Sequence, residues 1–256
     1  FVQRNHSYRD AAAYLAKFRV QQARALTFVK NHVVNVLEGA TRDIVAQLAA
    51  ERGNVLLPGT TASEASVFYV RFKALAPRVR PLTAELEKRA AARADYDVLL
   101  HDCHDCYFAQ RHVLLADVVE ANVAEFCRGH DPHALARSGC AYLVRVCELE
   151  HQLYQYFFST PSPALGALLE AFSATLYDTL RQIILSSHDM DVLCTLAHIL
   201  AREVLQEQVA PRGVPLEPFR PVVTRMLQDV QERLIFLAQT YVRDQIEAFS
   251  PTPSDL

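Results

Sequence analysis

From Ser7 to about position 249, apolar side chains return every three or four residues, and no stretch alternates apolar and polar residues between turn signals. A return near 3.6 puts apolar residues on one face of an α-helix; a strand needs a return of two. That one pattern confines the chain to helix packed on helix. Glycine agrees with it: 7 in 256 residues, too few for the tight turns of a sheet-rich chain of this length. Hydrophobic residues make up 51% of the chain, enough for a substantial core.

Pro, Gly and capping residues punctuate the pattern. Ser7-Tyr8-Arg9-Asp10 is an N-cap signal, since a Ser hydroxyl accepts from an orphan amide of the first turn. Leu15, Phe18, Gln22, Leu26, Val29, Val33 and Leu37 then predict one helix face, ending near Gly39 or running on, kinked, to about Ala50. Gly53-Asn54 and Pro58-Gly59 predict a loop, and Thr61-Ala62-Ser63-Glu64 reads as a capping box for a helix to Ala76. Pro77 and Pro81 interrupt it, leaving a charged helix over 82–92. Asp95 caps a long helix over 96–128 with Leu99, Cys103, Cys106, Tyr107, Gln110, Leu114 and Val118 inward. Gly129-His130-Asp131-Pro132 starts the next, to about Phe158, with Tyr142, Val146, Leu149, Leu153 and Phe157 inward. After the break Ser159-Thr160-Pro161-Ser162-Pro163, three helices follow. Leu165, Leu168, Phe172, Leu176, Leu180 and Ile184 mark the first; Leu193, Leu196, Leu200 and Val204 mark the second, after Asp189 or Asp191. A proline-rich loop over 211–218 precedes the last, over 219–249, whose inward residues are Val223, Met226, Val230, Leu234, Leu237 and Tyr241.

No fixed repeat of solenoid length and no sustained heptad is present. The expectation is an all-α chain: an elongated multi-helix bundle of the helical-rod type, as two sub-bundles, 1–128 and 129–256, with the seam at the Gly129 turn. No apolar run reaches the ~20 residues that cross a bilayer. The chain opens Phe1-Val2-Gln3, without an initiator Met or a signal-peptide pattern, and reads as an interior piece of a longer cytosolic protein. The net charge of −3 carries none of the basic excess that nucleic-acid binding demands. Six cysteines lie in apolar helical stretches and read as buried free thiols in a reducing compartment.

One stretch invites chemistry: His101-Asp102-Cys103-His104-Asp105-Cys106. Cys103 and Cys106 have zinc-knuckle spacing, and His101, His104 or His112 could complete the set. A knuckle, however, needs a tight turn and a second ligand pair, and this segment lies mid-helix by pattern. A reactive CxxC needs its first thiol at a helix N-terminus beside a strand, and neither context is predicted. The alternative function is a metal-dependent helical phosphohydrolase: His101-Asp102 as the ligand pair, Asp189 or Asp191 as the distant carboxylate, His32 or His6 as the first imidazole, together activating water. The glycine turn usual after such a pair is missing. Against all three stands packing, with Cys103, Cys106 and Tyr107 inward and Asp102 and Asp105 on the rim. Ser187-His188-Asp189 has triad residue types, but adjacent in sequence, and reads as a turn between helices. The Arg-bearing stretch 71–93 reads as a solvated helix face, with partner docking or an acidic membrane as the other readings. No phosphate-cradling glycine loop and no nucleophile elbow is present. No catalytic, cofactor-binding or metal residue is assigned, no cofactor is expected, and the partner interface is left open.

Several blocks go beyond periodicity. Arg137-Ser138-Gly139-Cys140-Ala141-Tyr142, with Val146-Cys147-Glu148-Leu149-Glu150-His151-Gln152-Leu153-Tyr154 and Phe157-Phe158, resembles the signature of the third-subunit family of the conserved oligomeric Golgi tethering complex. Phe68-Tyr69-Val70-Arg71-Phe72, Met226 to Leu234 and the ending Tyr241–Leu256 are similar to further blocks of that family, in the same order. Residues 40–62 and 208–221 match poorly. The resemblance implies the middle portion of a longer subunit and a helical-rod fold. It implies a non-catalytic role in vesicle tethering, retrograde intra-Golgi transport and Golgi organisation, and peripheral association with the cytosolic face of the Golgi membrane. The implied partners are sibling subunits, with SNAREs, Rab GTPases and golgins beyond them. An adaptor of a different tether or coat complex is the remaining alternative.

Overall fold

The computed structural model describes residues 7–54, 68–129 and 131–247. Among the described residues every regular element is a helix. In chain order these are α1 (Ala11–Asn54), a short helical segment over 68–73, α2 (Ala76–Ala90), α3 (Ala94–Cys127), α4 (Pro132–Phe157) and α5 (Pro163–Ser186). Then come α6 (Met190–His198), continued by a π-helix over Ile199–Val209, two 3-10 turns (Ala210–Arg212 and Val214–Leu216), and α7 (Phe219–Tyr241), continued by a π-helix over Val242–Glu247. The all-α bundle is therefore as expected. The capping box predicted over 61–64 lies outside the described residues.

Three boundaries differ from the pattern. The first helix takes the longer of its two expected courses, past Gly39, and ends at Asn54 rather than near Ala50. The charged helix begins at Ala76 rather than 82, with both prolines inside it. Pro77 falls in the first turn, where amides have no intrahelical partner, so its missing N–H costs nothing there; only Pro81 removes a bond. Third, the proline-rich stretch is not an open loop. The i→i+5 pattern holds to its end, where the Ala210 N–H donates to Leu205 O, and the buried positions Leu200, Val204 and Val209 are spaced four and five apart. Gly213, at φ +61°, then reverses the chain between the 3-10 turns in a region that side chains disfavour.

Contacts divide the chain into two compact units: Phe1–Leu115 with Leu153–Ala164, and Ala116–Gln152 with Leu165–Leu256. The divisions fall inside α3 and inside α4. In the first unit, the core is built on α1 through Val33, Leu37 and Ile44, on α2 through Val79 and Leu86, and on α3 through Leu99, Cys103, Tyr107 and Leu114. Aromatic rings fill its centre. Phe72 lies 5.6 Å from Tyr107 and 5.5 Å from Phe157, and Tyr107 lies 5.2 Å from Phe157. Such tilted pairs each add about 0.5–1.5 kcal/mol beyond the area they bury. Arg111 is fully buried, its guanidinium 5.0 Å from the Tyr69 ring and 4.8 Å from the Phe72 ring. The pattern had put Gln110 there; the uncharged stem of an arginine packs as well as an aliphatic residue, and its planar head stacks on rings.

In the second unit, α5 buries all six residues expected of it: Leu165, Leu168, Phe172, Leu176, Leu180 and Ile184. Gly139 of α4 faces this row, and a Cβ there would stand 2.6 Å from Leu176 Cδ1. The glycine thus lets α4 and α5 approach closely. Leu143 and Cys147 are buried one residue away from the expected Tyr142 and Val146, while Val146 is buried as well. Val223, Met226 and Val230 complete the core from α7.

Candidate functional site

The stretch 101–106 lies in the first half of α3. His101 is exposed, its Nδ1 2.9 Å from Asp97 O. Asp102 accepts a hydrogen bond from Lys30 Nζ of α1 at 2.7 Å, and this bond raises the Lys30 pKa above its ordinary value. Cys103 is fully buried; burial pushes its thiol up to about 12, and burial pushes Cys106 up to about 11. Neutral thiols of this kind neither attack nor bind metal readily. Asp105 is exposed. The rim-and-core arrangement expected of Asp102, Cys103, Asp105 and Tyr107 is thus what the structure contains, while Cys106, expected inward too, is half-buried.

His104 is the residue that the sequence did not single out for the core. It is buried against Phe158, ring centres 4.3 Å apart, with Tyr154 at 5.9 Å and Phe108 at 6.3 Å. Its Nε2 lies 3.3 Å from Tyr154 Oη. Burial, then the nearby His101, lowers its pKa below the ordinary value. Helical spacing alone placed it beside Cys103 and Tyr107, but a histidine does not announce its environment.

The structure does not bring the proposed metal ligands into one set. His32 is exposed on α1, His101 and Asp102 are engaged as described, and Asp189 and Asp191 belong to the second unit. His6 lies outside the described residues. Among the described residues, no group of three or more His, Cys, Asp and Glu side chains could hold a metal ion. Asp189 instead caps α6, accepting from Asp191 N at 2.8 Å and Val192 N at 3.3 Å. Ser187 O accepts from Arg233 Nε at 3.0 Å, and His188 is exposed; this is a helix-to-helix turn without triad geometry. Within 71–93 most basic groups have partners: Arg89 and Lys88 pair with Glu85 at 3.0 and 2.8 Å, Arg93 pairs with Asp95 at 3.5 Å, and Arg71 donates to Gln47.

A polar latch went unnoticed in the sequence. Glu87 Oε1 of α2 accepts from Ser159 N at 2.6 Å, Thr160 N at 2.8 Å and Thr160 Oγ1 at 2.9 Å. Arg80 sits 3.5 Å from its other oxygen and also donates to Ser159 Oγ. Thr83 Oγ1 donates to Phe157 O at 2.6 Å, satisfying a carbonyl that the end of α4 leaves without a helical partner. Burial pushes the Glu87 pKa up, but the Thr160 and Ser159 hydrogen bonds, with Arg80, outweigh it and hold the carboxyl below its ordinary value.

Two helical faces carry large apolar side chains that the described residues leave uncovered. On the first half of α1, Tyr14, Phe18 and Phe28 are exposed, Phe28 at 73%; continuous burial begins only at Val33. Beyond Val230 on α7 and its continuation, Ile235, Phe236, Tyr241, Val242 and Ile246 are exposed. Phe18 and Tyr241 had been expected inward. An open groove of ≈ 800 Å³ lies between α5 and α7, lined in part by Glu170, Tyr177, Arg220 and Arg225, with Arg225 5.4 Å from the Tyr177 ring centre. Among the described residues no helix is long and apolar enough to cross a membrane.

Residues 65–256 match the family model described as conserved oligomeric Golgi complex subunit 3, C-terminal, and residues 1–39 match the corresponding N-terminal model. The chain is 36% identical over 258 residues to the human protein named conserved oligomeric Golgi complex subunit 3, covering 100% of the chain and 30% of that relative. The Drosophila melanogaster protein of the same name is 33% identical over 100% of the chain and 28% of its own length. The Saccharomyces cerevisiae protein is 25% identical over 98% of the chain and 33% of its own length. The chain therefore spans about a third of the length of these relatives. No solved structure matches it.

Proposed function

Because the chain belongs to the subunit 3 family of the conserved oligomeric Golgi complex, we propose that it is the middle, helical portion of a vesicle-tethering subunit acting in retrograde intra-Golgi transport. Its work is geometric rather than catalytic: long helices fix distances, and their uncovered faces bind sibling subunits. The subunit sits peripherally on the cytosolic face of the Golgi membrane, with SNAREs, Rab GTPases and golgins as partners of the assembled complex.

The observation that carries this reading is the aromatic face of α1. Phe28, Phe18 and Tyr14 are exposed on α1, and a helix of another subunit is the chemistry that fits such a face. The phosphohydrolase reading has no support in the geometry, since no group of three or more His, Cys, Asp and Glu side chains among the described residues could hold a metal ion, and family membership replaces the adaptor of another complex.

The test is recovery of sibling subunits by the full-length subunit carrying Tyr14→Glu, Phe18→Glu and Phe28→Glu together. The expected result is loss of at least one sibling that the wild type recovers. Unchanged recovery would overturn docking on α1, and a wild type that recovers no sibling would overturn the tethering reading itself.

A further inference from the structure

The break between α4 and α5 carries two hydroxyl–proline pairs in succession, Thr160-Pro161 and Ser162-Pro163. Tyr154 Oη of the core donates to Thr160 O at 2.7 Å, but the proposed docking faces use neither pair. Residues 159–162 have no helical hydrogen-bond pattern, and Ser159, Thr160, Pro161 and Pro163 are exposed. A kinase that selects a proline after its acceptor reads a short extended, accessible segment, which a helix cannot supply. We propose that this turn is a phosphorylation site for a proline-directed serine/threonine kinase, and that phosphate on Thr160 undoes the Glu87 latch.

The step uses a nucleoside triphosphate as phosphoryl donor. The bond from the γ-phosphorus to the β–γ bridging oxygen breaks, a bond from that phosphorus to Thr160 Oγ1 forms, and the nucleoside diphosphate leaves. The hydroxyl proton passes to the kinase's catalytic base.

The consequence follows from the latch geometry. Thr160 Oγ1 is now a donor to Glu87 at 2.9 Å. Once esterified it has no proton to donate, and it carries about −1.5 to −2 charges against a carboxylate at hydrogen-bond distance. Arg80 is the single cation of the latch, and one guanidinium cannot neutralise both the carboxylate and the phosphate. Glu87 is therefore driven off the Ser159 and Thr160 amides, which it now accepts at 2.6 and 2.8 Å. Ser162 responds differently. Its Oγ accepts from Ala164 N at 3.3 Å at the start of α5, where the helix dipole favours added negative charge. One turn thus holds a disruptive acceptor and a compatible one.

The experiment is incubation of the full chain with a proline-directed kinase and ATP, mapping of phosphate by mass spectrometry, and amide hydrogen exchange on the product. Thr160→Ala, Ser162→Ala and Glu87→Gln are run in parallel. Phosphate is expected at both positions and lost from each position on its alanine substitution. Glu87→Gln is expected to speed labelling of Thr160, whose hydroxyl it loosens. Exchange of the Ser159 and Thr160 amides is expected to rise roughly tenfold to a hundredfold after Thr160 is phosphorylated, the loss that goes with a hydrogen bond to a charged acceptor. No phosphate at either position on the folded chain overturns the site, and phosphate at Thr160 with unchanged exchange at these two amides overturns the latch release.

Discussion

Replacing Gly139 by alanine tests how closely α4 and α5 pack, provided that it is read against a change at Leu176. The added Cβ would stand 2.6 Å from Leu176 Cδ1, 3.0 Å from Cδ2 and 3.4 Å from Cγ. Apolar carbons rest ~3.5–4.0 Å apart, so the leucine must retreat by about an ångström, and it is fully buried. Both methyls lie on the crowded side, so a simple change of rotamer does not clear the space. Overpacking of this kind costs about 1–3 kcal/mol. Alanine in place of glycine inside a helix returns about 1 kcal/mol. Gly139→Ala alone therefore destabilises by about 0–2 kcal/mol, which is hard to interpret by itself. Leu176→Ala removes all three crowding atoms, at its own cavity cost of about 2–5 kcal/mol. In that background the glycine substitution should stabilise by about 1 kcal/mol, its helix-propensity gain now unopposed. The coupling between the two sites is thus about 1–3 kcal/mol, read from urea unfolding of the four proteins followed by far-ultraviolet circular dichroism. If Gly139→Ala has the same effect in both backgrounds to within about 0.5 kcal/mol, the close approach at Gly139 is wrong.

His104 makes stability pH-dependent on the acid side of neutrality. Its folded pKa is depressed, by burial and then by His101, so the unfolded chain binds its proton first. Its contribution is whole above the unfolded value near ~6.5 and is lost progressively as pH falls below that; His104→Phe should flatten this part of a melting-temperature profile. Glu87 works in a lower window. With its folded pKa depressed by the bonds to Thr160 and Ser159, its contribution is present above the unfolded value near ~4.3 and disappears as pH falls through the folded one. Glu87→Gln should cost about 1–2 kcal/mol at neutral pH, where a charged acceptor is lost, and much less in acid, as measured by urea midpoints at two pH values. Thiol labelling by a disulfide reagent should be fast at exposed Cys194 and should reach buried Cys103, Cys140 and Cys147 only as the protein unfolds. Rapid labelling of Cys103 in the native protein, mapped by mass spectrometry, would contradict its burial.

The helices were legible because their signals are local. Six apolar residues of α5 recur at helical spacing, and all six are buried; α6 starts after Asp189, one of the two positions expected. The packing of 101–106 was legible too, because zinc and redox sites need turns or strands and the periodicity offered neither. What failed was everything that depends on a neighbour. Periodicity marks a face without saying what covers it, so Phe18 and Tyr241 read the same as Leu176 yet stand in solvent. Pro77 and Pro81 read as breaks, because sequence cannot tell a first helical turn from a helix interior. The passage of α3 and α4 from one unit to the other leaves no mark in composition, since a helix keeps its hydrogen bonds whatever packs against it. The buried His104, the ring-stacked Arg111 and the carboxylate latch at Glu87 join residues up to 73 positions apart. Backbone periodicity is set by bonds between residues three to five apart and is written in order along the chain; burial, charge state and partnership are set by distance in space, which only the packed helices decide.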